Sequence, residues 1–165
     1  MPDDLLDHPA VARVRAALAG LQAGGEPVIL DDHVRTAALA AQALGVTPAA
    51  IANSVVFKAV DSDGTDRPLL VMTSGAHRCN TDHLASVLAV DAVTKADPDY
   101  VRKHTGFAIG GVAPVGHPEP IQTLVDVTLA NHPQVWAAAG HPRTVFPTHY
   151  DELLRITAGA PVEVN

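Results

Sequence analysis

The sequence predicts an α+β fold, a mixed sheet with helices packed around it. Three features predict it. Ser54-Val55-Val56-Phe57-Lys58-Ala59-Val60 and Leu69-Leu70-Val71-Met72-Thr73 are apolar, β-rich runs separated by a polar stretch containing Asp63-Gly64, which reads as a hairpin. Stretches with helical apolar spacing and capping residues lie on both sides of that hairpin. The last third alternates short strand-like runs with loops, and helices and strands interleave without a clean βαβ rhythm.

In chain order, Asp7 is expected to cap a helix running to about Ala23, with Val11, Val14, Leu18 and Leu21 on one face and Gly24-Gly25 ending it. Pro27–Leu30 reads as a short strand. Asp31 or Asp32 then opens an Ala-rich helix closed by Gly45. Thr47-Pro48 starts a short turn. After the hairpin, Asn80 or Thr81 caps a helix through Leu88, and Asp97-Pro98 opens another that stops at Gly106. Strands are expected at Thr123–Val127, Gln134–Ala138 and Thr144–Phe146. Thr148 with Asp151 has the spacing of a capping box. A final helix ends near Gly159, and Pro161–Val164 can add an edge strand.

The 165 residues fit one domain, 1–165, with a helical portion over about 1–45. Aromatics make up only 4% of the chain, so its core must come from Val, Leu, Ile and Ala, and binding by stacked rings is disfavoured. A single cysteine, Cys79, excludes a disulfide or thiolate metal framework within one chain. Met1-Pro2-Asp3-Asp4 lacks the basic and apolar regions of a signal peptide, and no stretch approaches the ~18 apolar residues of a membrane span. A cytoplasmic location and no membrane partner are therefore expected. The net charge of −7 argues against DNA or a long RNA duplex and leaves room only for a short nucleic-acid end.

Lys58 carries the most information. Strand alternation puts it on one face with Val56 and Val60, and if both faces are covered its ammonium needs a partner. The competing reading is an edge-strand lysine reaching to water. Phe107–Gly116 holds three glycines and Pro114. It can bring backbone N–H groups close to a ligand, or it can be an ordinary tight connection. No Gly-Lys-Ser/Thr follows it, so it is not a P-loop.

The nine histidines (His8, His33, His77, His83, His104, His117, His132, His141 and His149) contain no zinc-protease spacing. Four of them precede proline, so no metal and no cofactor are expected. Asp61–Asp66 superficially resembles a calcium loop, but Leu70 stands where the bidentate glutamate belongs. Cys79, near His77 and a helix start, reads as packing rather than as a nucleophile. No Gly-x-Ser-x-Gly elbow is present.

Taken together, six segments in order resemble the YbaK/EbsC family, which is also found as the editing insertion of bacterial prolyl-tRNA synthetases. They are Ile51–Lys58, Val71–Arg78, Lys95–Pro98, Thr105–Gly116, Val135–His141 and Asp151–Thr157. The resemblance implies a mixed, mostly antiparallel sheet or partly closed barrel wrapped by helices. It also implies hydrolysis of the ester that joins a wrong amino acid to the CCA end of tRNA, acting in trans. The family's strand lysine falls on Lys58, giving it the catalytic place. Its Gly-x-x-x-Pro loop falls on Gly110, Gly111, Val112, Ala113 and Pro114, which with Gly140 and His141 are expected to bind substrate. Mischarged tRNA is the expected partner, with a synthetase as a second one.

Lys58 could orient the activated ester or stabilise oxyanion character, and loop N–H groups could assist. A pocket lined by Ala138, Val145 or Phe146 would be apolar and suit small side chains, without singling one out. The alternative is a non-catalytic tRNA- or nucleotide-binding module with the same fold.

Overall fold

The computed structural model describes residues 5–31, 34 and 36–165. The N-terminal tetrapeptide, His33 and the alternative cap Asp32 lie outside the described residues. Helix α1 spans Pro9–Gly20, with Pro9 in the first turn. His8 caps it, its Nδ1 accepting from the Ala10 N–H at 3.1 Å, in place of the expected Asp7. Strand β1 is Val28–Ile29. Helix α2 spans Ala37–Leu44. Its cap is Thr36, whose Oγ1 accepts from Leu39 N, and Gly45 ends it with φ +72°. Asp31 stands too far upstream for that role.

The central hairpin is longer than expected: β2 is Ile51–Val60 and β3 is Asp66–Ser74. Asn80 caps α3, Thr81–Leu88, and Asp97 caps α4, Pro98–Thr105. Between them lies β4, Ala92–Lys95, a strand that the apolar pattern did not predict. Then come β5 (Gln122–Asp126), β6 (Val135–Ala138), β7 (Thr144–Thr148), α5 (Tyr150–Thr157) and β8 (Ala160–Val162). The expected Thr148–Asp151 box is replaced by a bond from Thr148 Oγ1 to Glu152 Oε1 at 2.6 Å.

The strands form one sheet in the order β1-β7-β6-β2-β3-β5-β8, with β4 also paired to β2. The pairs β1–β7, β2–β3, β2–β4 and β6–β7 are antiparallel, and β2–β6, β3–β5 and β5–β8 are parallel. The sheet is open rather than closed into a barrel: β1 and β8 are its two ends.

Alternation sorts β2 and β3 cleanly. Ala52, Val56, Leu70 and Met72 join one core with α1, Phe107 and Phe146. Phe57, Ala59, Leu69 and Val71 join another with Leu84 of α3 and Leu124. A third cluster, Leu30, Ala40, Ala41, Ile51 and Val145, sits under α2. With both faces covered, Leu69–Met72 have no solvent exposure, which is why that stretch reads as unbroken apolar sequence. Among the described residues, no helix is long and apolar enough to cross a membrane.

Candidate active site

Three strands compete for the edges of β2. β3 holds one edge throughout. On the open side, parallel β6 pairs only with Ile51 and Ala52, and antiparallel β4 pairs only from Phe57 to Val60. Between them this second edge of Asn53–Val56 has no partner strand among the described residues. A cavity of about 330 Å³ lies where β6 and β2 diverge. Ala52–Val55 of β2 form one wall, Trp136 and Ala138 of β6 another, and Leu30, Ala37, Ala40, Ile51 and Val145 supply an apolar lining. Thr36, Asn53, Ser54 and Thr144 are polar residues of its lining. Backbone groups along an unpaired strand edge need partners, so such an edge is chemically ready to hold a ligand.

The glycine loop closes the cavity from above. α4 ends in a knot around Thr105, whose Oγ1 donates to the Val101 carbonyl and accepts from Phe107 N, so the chain leaves the helix in a fixed direction. Gly110 has φ +90° and lines the cavity beside Pro142; Val112 also lines it. Gly111 sits so tightly on the next connection that a β-carbon there would lie 2.9 Å from the His141 Cα. The structure thus brings the loop and Gly140–His141 together. Ala113 and Pro114 turn away. The Ala113 carbonyl accepts from His117 Nε2 at 2.8 Å, and Pro114 lines a separate cavity on another side. Gly140 packs under α1, where a β-carbon would meet the Ala10 carbonyl oxygen at 2.8 Å.

His141 directly precedes Pro142, which lines the cavity. Its Nδ1 accepts from the Arg143 N–H at 3.1 Å, and its ring meets the ring of His8 edge-on at 5.5 Å. Burial first, then the charges of His8 and Arg143, push its pKa below the ordinary 6.5, which keeps the imidazole neutral at pH 7.

Lys58 is placed differently from expectation. Alternation does put it on the face of Ser54 and Val56, yet it is not among the residues that line this cavity. Its Nζ lies 4.7 Å from the centre of the Tyr100 ring, whose hydroxyl donates to Asp66 Oδ1 at 2.9 Å. The physical reason is reach. Four residues along a strand separate Ser54 from Lys58 by about 13 Å, and a nearer aromatic face takes the ammonium.

Residues 31–156 match the aminoacyl-tRNA editing domain family. The chain belongs to the aminoacyl-tRNA editing domain family. The editing domain is therefore a hydrolase, an aminoacyl-tRNA deacylase. It is 37% identical to a solved structure described as a candidate trans-editing enzyme for prolyl tRNA synthetase, with TM-score 0.86 and coverage of 95% of this chain and 97% of that one. Among curated relatives, it is 30% identical over 148 residues to the proline–tRNA ligase of Bacillus licheniformis, covering 87% of this chain and 24% of the ligase. It is 32% identical over 98 residues to that of Levilactobacillus brevis, covering 59% and 16%. The editing domain thus spans a quarter or less of the length of those ligases.

Sequence reasoning missed the polar pair Asn53-Ser54 in the editing domain. A signal was present, since two polar residues interrupt an otherwise apolar strand, but only the split sheet gives them a cavity to face. It also missed a second polar centre. Asp126 is 1% exposed and accepts from Ser74 N (3.0 Å), His77 Nδ1 (2.9 Å), Thr128 N (3.0 Å) and Thr128 Oγ1 (2.8 Å). Burial alone would raise its pKa, and the four hydrogen bonds outweigh it and hold the carboxylate below the ordinary 3.8. This network ties the end of β3 to the end of β5. Near it, burial raises the pKa of the Cys79 thiol, which suits packing and not nucleophilic attack.

Proposed function

We propose that the whole chain, residues 1–165, acts as a free-standing cytoplasmic editing unit that removes a small, uncharged, wrongly attached amino acid from the CCA end of tRNA, working beside an aminoacyl-tRNA synthetase. One observation carries this reading. The cavity sits against an unpaired strand edge, is faced by Gly110, and has no charged side chain among its described lining residues. An aminoacyl side chain would enter the apolar part bounded by Ala138, Ile51 and Val145. The ester would lie between the β2 edge and the Gly110–Val112 backbone, with Asn53, Ser54 and Thr144 as polar partners.

Water attacks the ester carbonyl carbon, the bond to the ribose oxygen breaks, and that oxygen leaves as the ribose hydroxyl while the amino acid departs as the free acid. An aminoacyl ester is already activated, so positioning and neutral donors at the developing oxyanion can supply the acceleration without a covalent nucleophile. Lys58, held on Tyr100, stands outside this reading. An apolar pocket of this kind separates neighbouring amino acids by only about 1–3 kcal/mol per methylene, so several small residues are expected to be removed.

The test is a panel of mischarged tRNAs with loss of the aminoacyl group as the readout. Wild type should release small neutral residues. Ala138→Leu, which fills the cavity, should lower kcat/KM by about 10²-fold, at a stability cost of about 1–3 kcal/mol. Inactivity of the wild type on every aminoacyl-tRNA would overturn the proposal.

A further inference from the structure

Beside the cavity lies a group of nitrogen bases that the reaction just described does not use. His8 at the start of α1 and His141 after β6 face each other with ring centroids 5.5 Å apart. Each ring has its Nδ1 occupied by an incoming backbone N–H, from Ala10 in one case and Arg143 in the other. With each Nδ1 accepting, the N–H that each ring can offer is on Nε2, the nitrogen farther from its own backbone. Arg143 is held by one bond, from its Nε to the Leu30 carbonyl at 3.0 Å, leaving the outer guanidinium N–H groups over. Arg15, Arg67 and Arg155 each have a carboxylate within 4.0 Å, whereas Arg143 has none among the described residues. Among the described residues, no carboxylate stands within 4.0 Å of these donors.

The cluster is tied to the cavity mouth. Pro142, between His141 and Arg143, lines the cavity and lies 3.7 Å from where a side chain on Gly110 would begin. Gly111 rests on the His141 backbone. An aminoacyl ester seated between the β2 edge and Gly110 carries a nucleotide on its ribose, and the first phosphate of that nucleotide has to leave the cavity by its rim. In a chain of net charge −7, two imidazoles and a guanidinium beside Pro142, with no described carboxylate within 4.0 Å, are a suited receptor for such an anion.

We propose that His8, His141 and Arg143 bind the phosphate of the terminal nucleotide of the RNA substrate and so anchor its 3′ end over the cavity. This rests on the cavity being the deacylation site. It also accounts for how an acidic protein holds RNA, through one or two phosphates at a short end rather than along a basic stripe.

The experiment compares two esters of the same amino acid, one on an RNA hairpin ending in CCA and one on adenosine, which has no phosphate. His8→Asn and His141→Asn keep an acceptor where Nδ1 stands and delete the Nε2 donor, and thermal melting checks that both fold. On the hairpin, the double variant should raise KM by about tenfold, and Arg143→Gln, which removes the fixed positive charge of the group, should flatten the slope of log K against log salt by about 0.7. The double variant's loss on the adenosine ester should be at least tenfold smaller. Unchanged hairpin KM and slope would overturn the proposal, and so would equal losses on both esters, which would put the histidines at the reaction centre. If the wild type cleaves neither ester, the deacylation site is refuted instead, and the slope for binding a labelled, uncharged hairpin still decides whether these residues hold a phosphate.

Discussion

Alternation along β2 assigns Lys58 to the correct face of the strand, but it cannot say how far along that face the cavity extends or which neighbour captures the ammonium. Tyr100 does so, from a helix some forty residues later. A cation resting on an aromatic face contributes about 0.5–1 kcal/mol at a partly exposed site. Lys58→Ala should therefore melt slightly below wild type and hydrolyse the adenosine ester at a rate within about threefold of it. A loss of about 10²-fold would mean that the lysine leaves Tyr100 and stabilises charge in the transition state. His141 shows the converse: resemblance placed it near substrate, and the structure adds what its ring nitrogens are free to do.

At the level of elements, the decisive feature is that β2 is longer than either partner on its open edge. β6 follows it for two residues and β4 for four, and the cavity lies at the gap. The caps Asn80 and Asp97 were readable because short polar side chains bond N–H groups three residues on. β4 was not, because Ala92–Lys95 has no alternation beyond one buried valine. The loop depends on glycine at 111 for a steric reason that no loop composition reveals. Gly111→Ala would drive a β-carbon into the His141 backbone. It should displace the Gly110–Val112 wall, lowering kcat/KM by about tenfold or more and costing about 1–3 kcal/mol of stability, read by denaturant unfolding beside a deacylation assay.

For the whole molecule, the partly buried His117 and the buried Asp126 contribute to the response to acid, with His141 acting in the same sense as His117. Burial, reinforced by Arg13 and opposed by the bond to the Ala113 carbonyl, holds the pKa of His117 below 6.5. The unfolded chain then binds a proton that the folded chain refuses, so stability present above about pH 6.5 declines as pH falls below it. Asp126, depressed below 3.8 despite its burial, contributes stability that is lost only as pH falls further, through its folded value. Unfolding free energy measured from pH 8 to pH 3 should therefore fall in two stages. His117→Gln should reduce the first, to which His141 also contributes, and leave the second, and a single-stage profile in the wild type would contradict this assignment.

The class of fold, the central hairpin, the starts of α3 and α4 and the family were all legible in the amino-acid order, because these rest on local rules: apolar period, capping chemistry and ordered short motifs. So was the loop that approaches the site, since its adjacent glycines permit close backbone passage there. Long-range packing alone settles that the sheet stays open, that β6 and β4 part along β2 to leave a cavity, and that Asn53 and Ser54 border it while Lys58 does not. Those outcomes depend on which of several strands wins each edge and which side chain lies within reach of another. Such competition plays out between segments far apart in the chain, and no local pattern encodes its result.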